Sequence, residues 1–128
     1  MIKRTFGMSL VVGIAAFAAG LSFAQVTAQT GRTPQFENTD VKVWKSVILP
    51  HSPLPLHRHD HPRVIIALEG GTMNVLQKDG APEIHEWKSG HAYWLPANAP
   101  GTMHQDVNMG DKPIVVMVVE LEKSRAAQ

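Results

Sequence analysis

The chain has 128 residues, 44% of them hydrophobic, with seven histidines, no cysteine and a formal charge of +1. That length suits one domain with a modest core, and a near-neutral chain without a basic block carries no electrostatic footprint for nucleic acid. The absence of cysteine excludes disulfides and thiolate ligands, so any bound metal would be held by imidazole and oxygen donors.

The first segment reads as an export signal. Lys3 and Arg4 form a positive start, Leu10 to Ala19 an apolar run, and Ser22-Phe23-Ala24 places small residues where a signal peptidase reads them. Cleavage is expected after Ala24, with Val26-Thr27-Ala28 as a second site. The competing reading is an uncleaved anchor, because Phe6 to Phe23 is just long enough to span a bilayer, which takes roughly 17–25 apolar residues. Removing residues 1–24 takes away Lys3 and Arg4 and no acidic residue, which lowers the formal charge from +1 to −1. No second apolar span follows, so a periplasmic or secreted protein with no membrane role is expected.

Residues 25–39 are polar, contain Gly31 and Pro34 and show no period, so they read as a linker or flexible arm. From Val41 onward, short runs rich in Val, Ile, Trp and Met are broken by Gly and Pro, the pattern of an all-β sandwich or barrel. Strands are expected near 41–49, 55–60, 63–69, 71–77, 83–88, 91–95, 102–108 and 113–121. Gly70-Gly71 and Asp79-Gly80 are expected to close tight hairpins, and Pro50, Pro53 and Pro55 to place the segment before His57 at an edge or bend. Glu120 to Lys123 could begin one short helical turn. The domain is thus bounded at 40–122, with 123–128 as a disordered tail. Ile114 to Val119 is a continuous apolar run, which suits a strand covered on both faces. A closed barrel covers one face, and a second copy of the chain would cover the other, so a homodimer is expected.

His57-Arg58-His59 is the chemical signal of the sequence. Residues two apart on a strand share a face, so both imidazoles enter one pocket, the usual beginning of a transition-metal site. Alone, His-x-His is a weak motif. His51, His85 and His91 read as exposed or satisfied side chains. Met73, Tyr93 and Met103 are expected to wall the pocket, and Trp44, Trp87 and Trp94 to anchor the core or an interface. No Ser/His/Asp nucleophile set, phosphate-binding glycine loop or pair of carboxylates in matching positions is evident.

The surrounding spacings strengthen the motif. His57-x-His59-x-x-x-Arg63 is followed seven residues on by Gly70, and Gly90-x5-Pro96 is followed by Gly101-x-x-His104-x-x-x-Asn108. This resembles the paired motifs of the cupin superfamily, G-x5-H-x-H-x3-4-E-x6-G and G-x5-P-x-G-x2-H-x3-N, over Val41 to Leu121. The second motif is longer by three residues between Pro96 and Gly101, His51 stands where the first motif opens on Gly, and Arg63 stands where it has Glu. The resemblance implies a double-stranded antiparallel β-barrel, a jelly roll that is often dimeric. It implies a metal at the mouth held by His57, His59 and His104, with the carboxylate missing.

Arg63 shares strand parity with Ile65 and Ala67 and should point inward beside the histidines. Its guanidinium stays charged. At about 5 Å from a divalent ion and an effective dielectric of about 20, the repulsion is roughly 6–7 kcal/mol before water or anions relieve it. Three arrangements answer this. In the first, three histidines hold a metal (iron first, with zinc, nickel, copper or manganese as alternatives) and Arg63 clamps a small organic acid beside it, an arrangement that resembles cupin-type dioxygenases with three-histidine iron sites. In the second, no metal binds, and the pocket takes a small anionic or sugar-like ligand without catalysis. In the third, Arg63 turns to the rim and pairs with Asp60 or Glu69. His61 shares the same parity and is either a fourth ligand or, after the break at Pro62, a solvent-facing turn residue. Asp106 shares parity with His104 and either orients its ring or is exposed.

Overall fold

The computed structural model describes residues 28–123, which form eight strands and no helix. The expected leader over 1–24 and the tail after residue 123 lie outside the described residues. The strands are β1 (Gly31–Glu37), β2 (Val41–Ile48), β3 (Arg63–Glu69), β4 (Gly71–Gln77), β5 (Glu83–Trp87), β6 (Ala92–Leu95), β7 (His104–Asn108) and β8 (Ile114–Leu121). They make a five-stranded sheet in the order β1-β2-β8-β3-β6 and a three-stranded sheet in the order β5-β4-β7, with every strand pair antiparallel.

Alternation explains how the two sheets face each other. On β2, Trp44, Ser46 and Ile48 are buried, on β3 Arg63, Ile65 and Ala67, and on β8 Ile114, Val116 and Val118. Met73 on β4 and Trp87 on β5 meet them from the smaller sheet, with Leu54 closing the side. Most outward residues of the larger sheet are also apolar, with Lys45 opposite Met117 a charged exception. Phe36, Val43, Val119, Val64 and Trp94 fall in one row across all five strands. Val119 is only half-buried and Phe36 and Trp94 are 59% exposed. The apolar run on β8 therefore has one face in the core and one facing outward.

Four expectations are corrected. Residues 25–39 are not simply a linker: Gly31–Glu37 pairs with β2, and Thr30 pins the start of that strand by donating to the Ser52 carbonyl and accepting from Leu49 N–H. Alternation is hard to see there because the ladder slips between Pro34 and Phe36. Residues 55–60 form no strand. Pro50, Pro53 and Pro55 lack N–H donors, so this segment follows β7 through isolated bonds, Leu54 N–H to the Asp106 carbonyl (3.0 Å) and a single bridge between His57 and His104. Gly70-Gly71 closes no hairpin, because β3 and β4 lie in different sheets and the pair makes the corner between them. A Cβ on Gly70 would lie 2.1 Å from the Trp87 carbonyl oxygen, so only glycine fits. Glu120 begins no helical turn, since β8 runs on to Leu121. Asp79-Gly80 does connect the paired strands β4 and β5, with Gly80 at φ +155°.

Asn108 locks the end of β7. Fully buried, it donates through Nδ2 to the Ile48 and Lys112 carbonyls (2.9 and 2.7 Å) and accepts from Gly110 N–H (2.8 Å). Replacing it by leucine keeps the branched shape but strands the buried Ile48 carbonyl, at about 1–3 kcal/mol, and removes two part-buried bonds as well. Asn108→Leu is therefore expected to lower the unfolding free energy by about 2 kcal/mol or more in urea titration.

Candidate metal centre

Three histidines from two segments meet between the sheets. His57 and His59 come from the irregular run before β3, and His104 opens β7. One ring nitrogen from each lies within 4.8 Å of the others. The rings of His57 and His104 are 4.4 Å apart between centroids, and those of His57 and His59 5.1 Å. His59 and His104 are buried and His57 is half-buried. Their backbones are tied directly: His57 N–H donates to the His104 carbonyl (2.9 Å) and His104 N–H donates back (2.8 Å).

Hydrogen bonds prepare two of the rings as ligands. Nδ1 of His57 lies 2.8 Å from the Pro55 carbonyl, an acceptor only, so Nδ1 carries the proton and Nε2 keeps its lone pair. Nδ1 of His59 lies 2.9 Å from Oε2 of Glu120, which leaves its Nε2 free in the same way. Nε2 of His57 and Nδ1 of His104 are buried without a partner. A buried imidazole nitrogen without a partner is costly unless something such as a cation meets it, and neutral imidazoles oriented by carbonyl and carboxylate are the donor set that divalent transition metals take. The residues fit a metal.

The charged residues complete the site. Arg63 is buried and inward, and its Nη1 donates to the Pro96 carbonyl (3.1 Å), its one hydrogen bond among the described residues. Asp60 pairs instead with Arg58 (2.9 Å) and Glu69 is exposed, so the rim arrangement of Arg63 is overturned. Arg32 reaches the same cavity from β1, stacking over Trp44 at 5.2 Å. Neither arginine makes an ion pair with a carboxylate among the described residues. Burial lowers the pKa of each, while Asp106 and Glu120 act in the opposite direction. Asp106 sits beside the rings, its oxygens 3.6 Å from Nε2 of His57 and 3.7 Å from Nε2 of His104.

Arg32 and Glu120 are the site residues that sequence reasoning missed. Arg32 falls in the stretch taken for a linker. Glu120 shares the parity of Ile114, Val116 and Val118 on β8, a signal that was available, and it is the cross-strand partner of Arg63. His61 is half-buried and stands outside the histidine group. Of the expected pocket walls, Met73 lines the cavity of about 410 Å³. Tyr93 instead packs its ring against Trp87, with centroids 4.7 Å apart. Met103 precedes His104, so its parity is opposite to that of the histidine and it does not line the cavity. Trp44 and Trp87 are in the core and Trp94 is on the outer face.

Burial keeps the histidines neutral. It lowers His57 and His59 and takes His104 to about 4, against the opposing charge of Asp106. Burial pushes Glu120 up, but its hydrogen bond to His59 and the charges of His59, His61 and Arg63 outweigh it, so its carboxyl lies below the usual range.

The fold has relatives among solved structures. The chain is similar to a cupin domain from Bordetella pertussis Tohama I, with a TM-score of 0.65 and 23% identity over 74% of this chain and 95% of that one. It is similar to an RmlC-like cupin family protein with a double-stranded β-helix fold from Methanocaldococcus jannaschii (TM-score 0.58, 15% identity, 84% and 93% covered). A third likeness is to an RmlC-like cupin protein from Desulfovibrio desulfuricans (TM-score 0.53, 17% identity, 79% and 95% covered). No family model and no curated protein matches the sequence. These likenesses establish the double-stranded β-helix that the paired motifs implied.

The depressed histidines make stability depend on pH in one direction. Between about 6.5 and about 4 the unfolded chain binds a proton at His104 that the folded chain refuses. The metal-free protein therefore loses stability as pH falls through that window, by at most about 1.4 kcal/mol per unit for this group. Glu120 adds a loss of the same sign at lower pH, as its carboxylate is protonated. Thermal melts in chelator are expected to be flat above pH 7 and to decline steadily from pH 6.5 to 4, and His104→Gln is expected to flatten the decline.

Proposed function

We propose that this chain, a cupin in fold, is an exported protein that binds a divalent transition metal through His57, His59 and His104 and holds a small organic acid beside it. The observation that carries the reading is the pair of arginines: Arg63 is buried yet uses one hydrogen-bond donor on the protein, and Arg32 shares its cavity without an ion pair. Guanidinium donors in a cavity of about 410 Å³ suit a carboxylate taken in a bidentate fork. A metal adds two positive charges, which the same anion would offset.

In this reading Arg63 and Arg32 bind and orient the acid. Trp44, Ile65 and Val118 supply apolar wall that limits water around it, and Glu120 holds His59 in the tautomer that presents Nε2. Iron, when bound, would supply open coordination positions for the acid and oxygen, the basis of an oxidation. The alternative is a binding protein without catalysis.

Elemental analysis and an oxygen electrode separate these outcomes. Iron-loaded protein is expected to consume oxygen with some member of a panel of small carboxylic acids, while zinc-loaded protein is not. Binding without consumption would leave the carrier reading, and absence of metal uptake would sink the metal reading. Arg63→Glu is expected to tighten metal binding, because it replaces a repelling charge with a carboxylate, and to weaken acid binding by at least about tenfold. Unchanged metal affinity would count against the placement of Arg63 beside the ion.

The outer face of the larger sheet is proposed to be covered by a second copy of the chain. Five strands about 4.8 Å apart, four of them seven or eight residues long and β6 four, at about 3.3 Å per residue present a face of roughly 540 Å². With the relief of its side chains that approaches the ~800 Å² per partner of a standard interface, and apolar rows pack on their own copy without charge matching. Sedimentation is expected to give twice the chain mass for the wild type, and Met117→Glu, at the centre of the face, to give monomer. A monomeric wild type would refute the proposal.

A further inference from the structure

Within the metal reading above, we propose that Asp106 is a fourth ligand of the ion, so that β7 supplies the carboxylate that position 63 does not. Asp106 lies two residues beyond His104 on the same face of β7, with the pair in register opposite Val75 and Gln77. Its backbone is fixed by the segment that carries His57, because Leu54 N–H donates to the Asp106 carbonyl.

The side chain aims at ring nitrogens rather than at the nearby arginines. Its Oδ2 is 3.6 Å from Nε2 of His57 and its Oδ1 is 3.7 Å from Nε2 of His104. A charged hydrogen bond from imidazolium to carboxylate would close to about 2.7–2.9 Å, and these contacts do not. The His57 contact is also of the wrong kind for a hydrogen bond. Nδ1 holds its proton toward Pro55, so an unprotonated nitrogen faces an anionic oxygen. Two acceptors facing each other repel unless a cation lies between them. A metal at about 2.1 Å from each donor in a tetrahedral set separates its ligand atoms by about 3.4 Å. The two observed separations are near that value, but Asp106 lies outside the group whose ligand atoms are within 4.8 Å of one another, so its side chain must turn toward His59 to join the set.

The charge arrangement agrees. Three neutral imidazoles and one carboxylate leave a divalent ion with a formal charge of +1, which halves the repulsion that Arg63 meets at a given distance. A carboxylate is thus retained at the ion while the position on β3 becomes free to carry a guanidinium.

Cobalt(II) tests this, because its visible bands report the ligands directly. Metal-free wild-type protein titrated with Co²⁺ is expected to bind, and Asp106→Asn to bind at least about tenfold more weakly, with its bands shifted in energy. Asp106→Glu, which keeps the carboxylate, is expected to retain more affinity than Asp106→Asn. If the asparagine variant also melts lower without metal, the glutamate and serine variants are compared instead. Wild-type protein that takes up no Co²⁺ would overturn the metal reading and Asp106 with it. Wild-type binding with Asp106→Asn unchanged in affinity and spectrum would overturn the Asp106 assignment alone. A weaker affinity with unmoved bands would also overturn it, because Asp106 would then be a counter-ion rather than a ligand.

Discussion

The reciprocal backbone hydrogen bonds between His57 and His104 are the constraint on which the site depends. One partner sits in a proline-interrupted segment that cannot form a regular strand, and the other opens a strand of the smaller sheet. Without that bridge His57 and His59 would ride on a loop, and a ligand set needs its donors held to fractions of an ångström. With it, the loop inherits the rigidity of β7. β7 is anchored at its far end by Asn108, whose three side-chain hydrogen bonds reach β2 and the turn toward β8. The metal group is therefore suspended between two fixed points of one short strand.

Electrostatics then decides what such a group can hold. Two arginines inside a protein cavity would be costly alone, as would Asp106 and Glu120. Together they balance before any ligand arrives. Glu120 faces Arg63 across the β3–β8 ladder and bonds His59, so one carboxylate both offsets the guanidinium and orients a ring. Entry of a divalent ion breaks that balance toward positive charge, and an anion restores it. Under the proposed function, metal and acid are thereby expected to bind with mutual assistance.

Much of this was legible in the sequence because strands alternate and histidine is rare. The spacing of His57, His59, His104 and Asn108 identified the fold, and the parity of Arg63 with Ile65 and Ala67 placed it inward, where it lies. The failures share a cause: each depended on a partner distant in the chain. β1 is a strand because β2 offers its edge, and nothing within residues 31–37 alternates strongly enough to say so. Gly70-Gly71 looks like a hairpin turn locally and is a corner only because β3 and β4 join different sheets. Residues 55–60 showed the proline pattern that breaks strands, yet His-x-His suggested one. Strand parity alone could have found Glu120, since the expected last strand, 113–121, already contained it.

The histidine group is also a report on how far folding has gone. His59 and Glu120, in direct contact, are 61 residues apart in the chain, and Arg32 arrives on the first strand of the larger sheet. Such non-local closure makes for slow assembly. No partial structure lacking β7 holds the complete set of donors, and none lacking β8 has the Glu120 carboxylate that orients His59. A metal that binds only the finished arrangement would leave the rate of folding almost unchanged and act on the rate of escape from the native state. For a protein exported as proposed, resistance to unfolding over hours can matter more than the depth of the equilibrium.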